Sequence, residues 1–576
     1  MPNCPHIRPA VVIATLFSCA IACPVGAQQV PPQGPVYTAS DINDVNLTSG
    51  SPNFRVSDLS IGSAGNELSH TFFSIGANVS NLNNDSFDGY LGGANGQIPT
   101  HSMEFGGQAE IFFPPQNGIY PSANGRGSTL IDNGNGTWTY TLRDGTVLTI
   151  DSSLGNGSTF LGRVSIVKYP DGRVLNIHRN PTDKRVRSVT RSDGFQFKYN
   201  YNGAQKLTSI VAINNAFEYC APSADTCSLT MTWPSASYAV SGSVVSITDQ
   251  LGGVTRFTMD SVGRVTGVKW PTSSSADNIT YTYCDNSCFV IGQGYSYVFP
   301  NMVMGVVRNG QSWTYNFAAG SGFSFSYYSS INPIGGETEA ELASAFVPFT
   351  TFVSPLKTLW TDDDRTFYFD PTSYSGRANS VSVGISAIGY TYDSRGNVTQ
   401  VREHARAGSP DATIVTDAGY DQACSNPITC NKGNWVRDGR GNQTDYTYSP
   451  SHGGVLTVTG PAVNGIRPQT RYAYMQRYAW TKNASGAYVK STAPIWVLTQ
   501  ESYCRTSAAM GNGCAVANDE VKTTFDYGPD VGPNNLFLRG KAITADGQTL
   551  RTCYAYDRFG NKISETLPRA SLSTCP

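Results

Sequence analysis

Cysteine, carboxylate and histidine spacing bounds the chemistry this chain could perform. Of its 13 cysteines, ten lie beyond residue 27. They fall into five close pairs: Cys220 with Cys227, Cys284 with Cys288, Cys424 with Cys430, Cys504 with Cys514, and Cys553 with Cys575. Joined neighbour to neighbour, each pair closes a small loop worth about 2–3 kcal/mol by loop entropy. The alternatives are reduced thiols or metal ligands. No pair has Cys-x-x-Cys spacing, and His70, His101, His178, His404 and His452 lie far from the pairs in sequence, which counts against a metal. The Cys284/Cys288 bridge is the most strained of the five, with only three residues between its ends. The expectation is structural disulfides, no metal and no cofactor.

Asp362-Asp363-Asp364 is the densest carboxylate run. A glycosidase needs two carboxyl groups facing each other across a sugar. Neighbours on a strand point to opposite faces, so a solvated turn is the plainer reading. Asp132-Asn133-Gly134-Asn135-Gly136 could approach calcium but lacks the carboxylates a good site uses, and reads as a glycine turn. There is no Gly-x-Ser-x-Gly elbow, phosphate-binding loop or His-Glu-x-x-His motif. No catalytic residue is expected.

The elements that must carry these residues are turn-rich. The 576 residues include 58 glycines and 32 prolines. Charged residues are 14%, against about 25% in a typical soluble domain. Aromatics are 11%, which excludes a highly charged disordered chain. A net charge of −2 with no basic block speaks against nucleic acid. Arg8, the apolar run Ala10 to Ala22 and the small residues Val25-Gly26-Ala27 read as a secretory signal cleaved after Ala27. A lipoprotein reading through Cys23 is the lesser alternative. No later apolar run is long enough to span a bilayer. The expected location is secreted, periplasmic or cell-surface.

A short unit recurs along the chain. Its cleanest copy is Tyr390-Thr391-Tyr392-Asp393-Ser394-Arg395-Gly396-Asn397-Val398. Tyr554-Ala555-Tyr556-Asp557-Arg558-Phe559-Gly560-Asn561 matches it closely. Phe257-Thr258-Met259-Asp260-Ser261-Val262-Gly263 is a third copy. A fourth is aligned on Tyr199, Asn200 and Gly203, and a degenerate fifth on Tyr446, Tyr448 and Gly453. Tyr-x-Tyr places both rings on one face of a strand. The Asp caps a turn, and the Gly three residues later supplies positive φ. The unit therefore reads as a β-hairpin, and stacked hairpins can bury a tyrosine face that one cannot.

These copies resemble the RHS/YD-repeat family, over roughly residues 130 to 570. The stretch Cys430-Asn431-Lys432-Gly433-Asn434-Trp435-Val436-Arg437-Asp438-Gly439-Arg440-Gly441-Asn442 also looks like the exported, cysteine-decorated bacterial members. The resemblance implies an all-β fold, with hairpins stacked into an extended spiralling sheet or partial shell. Long members carry an Asp-Pro-x-Gly core motif and then a variable, often toxic domain. Here Asp370-Pro371 is followed by Thr372-Ser373-Tyr374, so neither is expected in this chain. The expected organisation is a signal at 1–27, a poorly ordered leader at 28–60 and an irregular β region at 61–135. A first repeat region spans 136–320. An insertion at 321–359 holds the one convincing helix, Glu337 to Phe346, and a second repeat region spans 360–576. The expected role is a scaffold or shell segment of an exported interaction or toxin-delivery system. Its partners would be further repeat or C-terminal chain segments. The alternative is a module binding a carbohydrate or cell-surface ligand.

Overall fold

Alternation with a turn every ten residues or so dictates antiparallel pairing, and the computed structural model is all-β. It describes residues 41–46, 50–62, 66–75, 85–93, 100–123, 126–156, 160–273, 277–284, 289–292, 295–298, 302–319, 325–331, 337–342, 356–362, 385–404 and 413–576. Among these, the helical elements are two single turns of 3-10 helix, Ser152–Leu154 and Pro568–Ala570. The signal and lipoprotein readings, residues 1–27, lie outside the described residues.

One ladder organises most strands. Tyr90–Gly92 pairs with His101–Phe105, which pairs with Gln108–Phe112. The strands from Ile119–Pro121 to Phe160–Lys168 then follow in order. Phe160–Lys168 pairs back with Tyr90–Gly92 through its first residues and onward with Val174–Arg179 through its last. From there each strand joins the next as far as Lys562–Thr566. The ladder steps over three separate two-stranded ribbons, at 289–298, 480–490 and 509–514.

The ladder also winds past itself. The turn at Asp171-Gly172 meets a later strand, where the Trp496 amide donates to the Asp171 carbonyl at 2.8 Å. Asn431 donates to the Arg143 carbonyl at 3.0 Å, and Arg143 donates to the Gly396 carbonyl at 2.9 Å. The Lys482 amide donates to the Asn215 carbonyl at 2.7 Å. Gly172 has no room for a side chain, because a Cβ there would lie 2.3 Å from the Pro494 carbonyl oxygen.

Two expectations are corrected. Within the expected leader, residues 51–60 belong to a strand, Ser51–Ile61, paired with Leu68–Ile75. Its polar residues mask an alternation, interrupted by a register shift between Ser57 and Leu59, that buries Phe54, Val56 and Leu59. The segment is ordered because the repeats offer it an apolar face. The expected helix at 337–346 is instead a strand over Glu337–Leu342, paired on both sides, with Phe325–Ile331 and Leu356–Asp362. Glu-Thr-Glu-Ala-Glu-Leu alternates with period two as well as it suits a helix, and two waiting ladder edges decide between them. Residues 343–346 lie outside the described residues.

The hairpin of Ser51–Ile61 and Leu68–Ile75 is the centre of the core. Phe54 sits 5.3 Å from Phe257 and 5.4 Å from Tyr281, ring to ring. Phe72 meets Phe257 at 6.3 Å. The main apolar cluster is drawn almost wholly from residues 45–315. Beyond residue 385 two small clusters form among the described residues, around Tyr446 and around Ile495.

Candidate functional site

Three of the repeat turns are each built by one carboxylate. Asp393 Oδ1 accepts from the amides of Arg395 and Asn397 at 2.9 and 2.8 Å, and Oδ2 accepts from Asn397 Nδ2 at 2.7 Å. Asp557 repeats this with Phe559 and Asn561 at 2.9, 2.8 and 3.0 Å. Asp260 uses Val262 and Arg264 at 3.0 and 2.9 Å, with Arg264 Nε on Oδ2 at 2.8 Å. Gly396, Gly560 and Gly263 stand at φ +73°, +85° and +88°. Burial would raise the Asp260 carboxyl, but the Arg264 bonds override it and hold the group below its ordinary value. These carboxylates are thus committed to turns.

The fourth copy needs a new register. Asn202, not Asn200, caps its turn, accepting from Ala204 and Lys206 at 3.0 Å each. Gln205 takes the left-handed position at φ +61°, not Gly203. Asn200 donates to Ser209 across the strands. The ring pair is therefore Tyr199 and Tyr201, so the motif starts where Tyr-x-Tyr dictates. In the fifth copy, after Tyr446 and Tyr448, one extra residue is absorbed by Gly453 donating to the Ser449 carbonyl at 2.9 Å.

Where the second ring is one of seven tyrosines, it has a role that strand alternation did not reveal. Its hydroxyl donates to a backbone carbonyl of the preceding hairpin. Tyr201 reaches Val186 at 2.8 Å, Tyr283 reaches Val265 at 2.6 Å, Tyr448 reaches Gly433 at 2.9 Å, and Tyr474 reaches Val455 at 3.1 Å. Tyr420, Tyr527 and Tyr556 do the same to Val398, Leu498 and Leu538. Several acceptors stand two residues after a left-handed residue: Val265 after Gly263, Val398 after Gly396, Val455 after Gly453. That offset is the signal in the sequence. The second ring also sits at a register shift, as at Thr282/Tyr283, Thr447/Tyr448 and Ala555/Tyr556. A bulge interrupts the ladder, and the hydroxyl supplies a donor there.

A buried charged cluster pins the N-terminal hairpin. His70 Nδ1 lies 2.6 Å from Asp58, and Nε2 lies 3.7 Å from Asp85. Tyr238 donates to the other Asp58 oxygen at 2.5 Å. The rings of Phe87, Phe197 and Tyr199 surround the imidazole. Burial opposes the charge on His70, but Asp58 and then Asp85 overcome it and raise its pKa to about 10. All these groups are sealed from solvent, so the cluster is a clamp between the hairpin and the repeats.

The structure joins Cys220–Cys227, Cys424–Cys430, Cys504–Cys514 and Cys553–Cys575. Cys284 is buried, and its expected partner Cys288 lies outside the described residues. The grouping of Cys504, Cys514 and Asp519 is a disulfide beside a turn-capping carboxylate, not a ligand set. Asp362 ends a strand, and Asp363 and Asp364 lie outside the described residues. In the glycine turn, Asp132 accepts from the Gly134 amide at 2.9 Å. Four bridges indicate an oxidising, extracellular or periplasmic location. No helix among the described residues is long and apolar enough to cross a membrane.

No protein-family model and no curated protein matches the chain. Among solved structures, the crystal structure of TcdB2-TccC3-TEV is similar over 89% of this chain and 23% of its own, at 12% identity and TM-score 0.27. The Photorhabdus luminescens Tc holotoxin pore is similar over 83% of this chain and 28% of its own, at 11% identity and TM-score 0.20. A porin-like protein from Bacteroides uniformis is similar over 57% of this chain and 98% of its own, at 11% identity and TM-score 0.13. The chain spans less than a third of the length of the toxin chains it matches.

Proposed function

We propose that the chain is an exported scaffold, a shell segment of an interaction or toxin-delivery assembly, without catalysis of its own. The observation that supports this reading most is how the repeat spends its polar groups. Capping aspartates close turns, and second-ring hydroxyls bind the previous hairpin. A unit so committed to its neighbours extends a wall and leaves little for substrate. Partners would be further repeat or C-terminal chain segments meeting that wall. Export rests on the signal read at 1–27.

The test is an in-frame deletion in the producing cell, followed by proteomics of the culture medium. A scaffold predicts that at least one co-exported protein disappears with it. The purified chain should show no turnover on polysaccharide, ester or peptide panels. Turnover would overturn the reading. The second reading, a carbohydrate- or cell-surface-binding module, is favoured by the parallel ring pair Tyr390/Tyr392, only part of whose surface is covered. Specific glycan-array binding with an unchanged medium proteome would select it.

A further inference from the structure

Six of the seven tyrosine hydroxyl bonds between hairpins obey one register, with Tyr448 the exception. In each, the acceptor pairs with the residue just past a register shift in the strand before it. Leu538, which accepts from Tyr556, pairs with Tyr527 past the shift between Asp526 and Tyr527. Leu498, which accepts from Tyr527, pairs with Tyr474 past the shift between Ala473 and Tyr474. The other four acceptors hold the same place. The residue two beyond the acceptor then pairs with the residue three before the donating tyrosine. Gly540 meets Cys553, and Gln500 meets Thr524, in that way. The remaining four joints repeat it.

The strand Lys562–Thr566 carries the acceptor half of this joint. Lys562 pairs with Tyr556 past the shift between Ala555 and Tyr556. Its carbonyl therefore stands where Leu538 and Leu498 receive a hydroxyl. Among the described residues no tyrosine hydroxyl donates to it. The strand pairs with Gln548–Tyr556 alone among the described residues, and Lys562, Ile563, Ser564 and Glu565 are exposed.

The edge is held in place. The Gly62 amide donates to the Phe559 carbonyl at 2.8 Å, and a Cβ on Gly560 would lie 2.7 Å from Gly62 Cα. The residues after the strand turn back from it. Pro568–Ala570 form a single turn, and Cys575 is bridged to Cys553 with its sulfur against Gly540. The charges on the edge do not forbid a neighbour. Lys562 and Glu565 pair with each other at 2.5 Å. Lys541 holds the place of Glu565 in the strand Leu538–Ala545, which is paired on both sides.

A fixed, unpaired strand edge is a template for another strand. We propose that this edge receives a Tyr-x-Tyr hairpin of a second polypeptide in one register. The incoming tyrosine hydroxyl donates to the Lys562 carbonyl, and the residue three before that tyrosine pairs with Ser564. The inference rests on the scaffold reading and gives its partner a chemistry and a place.

The test uses the full chain and, as probe, a synthetic peptide of residues 546–566. This peptide carries Tyr556 and, three residues before it, Cys553. Anisotropy of the labelled peptide on the full chain should saturate, and Tyr556→Phe in the peptide should weaken binding about fivefold. The Ser564→Cys chain, oxidised with the peptide in glutathione buffer, should be joined to the peptide's Cys553, as read by mass spectrometry. The Ile563→Cys and Glu565→Cys chains should be joined far less. If Ser564→Cys does not fold, the anisotropy decides alone. Binding that never saturates, binding unchanged by Tyr556→Phe, or equal joining at the three positions would overturn the proposal. Joining of two Ser564→Cys chains to each other would give the edge to a second copy and overturn it too. A lost co-exported protein without peptide binding would leave the scaffold reading standing and remove this edge from it. Peptide binding with an unchanged medium proteome would do the reverse.

Discussion

Before residue 320, the first ring of the repeat is closed off from water. Tyr199, Phe257 and Tyr281 are 1%, 0% and 3% exposed. After residue 385 the same position is held by Tyr390, Tyr472, Phe525 and Tyr554, all half-buried, with Tyr446 the exception. Turns, bulges and hydroxyl bonds are alike in both regions. The difference is the cover: Phe54, His70 and Phe72 lie on the first face, and nothing comparable lies on the second among the described residues. Bridges run the other way. Three of the four described disulfides fall beyond residue 420, and one falls before it. Where the apolar core is thin, cross-links that restrict the unfolded chain take over part of its work.

The largest effect should come from the clamp. His70→Ala leaves Asp58 and Asp85 buried without their cation, so a loss of about 3–5 kcal/mol is expected from the first region alone. Calorimetry should show its transition moving while that of the second region stays. A joint shift would break the contrast. The clamp also has a pH window. The His70 proton is held to about pH 10 in the fold, against 6.5 unfolded. Its contribution is therefore whole below about 6.5 and lost as pH rises through about 10. The His70 bonds hold the Asp85 carboxyl below 3.8 against the opposing effect of burial, so its contribution fades as pH falls beneath that value. Hydrogen exchange of 51–61 and 68–75, corrected for intrinsic rate, should show protection falling between pH 8 and 10.5.

Next in size are the rings. Phe257→Ala should cost about 3–5 kcal/mol, because it empties a site packed on all sides. Phe525→Ala, at the equivalent position without a cover, should cost less than half as much. Equal losses in denaturant titrations would show that the second face is as well covered as the first. Third, replacing Cys504 and Cys514 together by serine should cost about 2–3 kcal/mol and act on the second region only. Mild reduction followed by proteolysis should then cut beyond residue 420 first. The smallest effect is expected from the hydroxyls. Tyr283→Phe and Tyr556→Phe should each cost about 0.5–1.5 kcal/mol, and by similar amounts, since the same bond is lost in both regions. Unequal values would show that the cover strengthens the hydroxyl bonds too.

Much of this was legible in the residues. Tyr-x-Tyr followed by Asp and Gly encodes a local hairpin, because alternation, a side-chain cap and positive φ act within ten residues. The Cys504 and Cys514 pairing is equally local, closing a short loop. The register at Tyr199 was missed because Asn200, Asn202 and Gly203 offer two caps and a decoy glycine, and only strand pairing chooses between them. Glu337–Leu342 was misread for a related reason. Its pattern fits two periods, and the flanking ladder edges select the strand.

Sequence by itself determined the repeating hairpin, its all-β character and most of its cross-links, since each rests on interactions between near neighbours. Tertiary structure alone decided where the hydroxyl of Tyr556 goes, which half of the repeat is covered, and that residues 51–60 form a strand. Those outcomes depend on meetings such as Tyr238 with Asp58, or Asn214 with the Arg558 carbonyl, between groups 180 and 344 residues apart. Contacts at that separation leave no periodic trace, because their partners are set by how far the ladder winds before it passes itself.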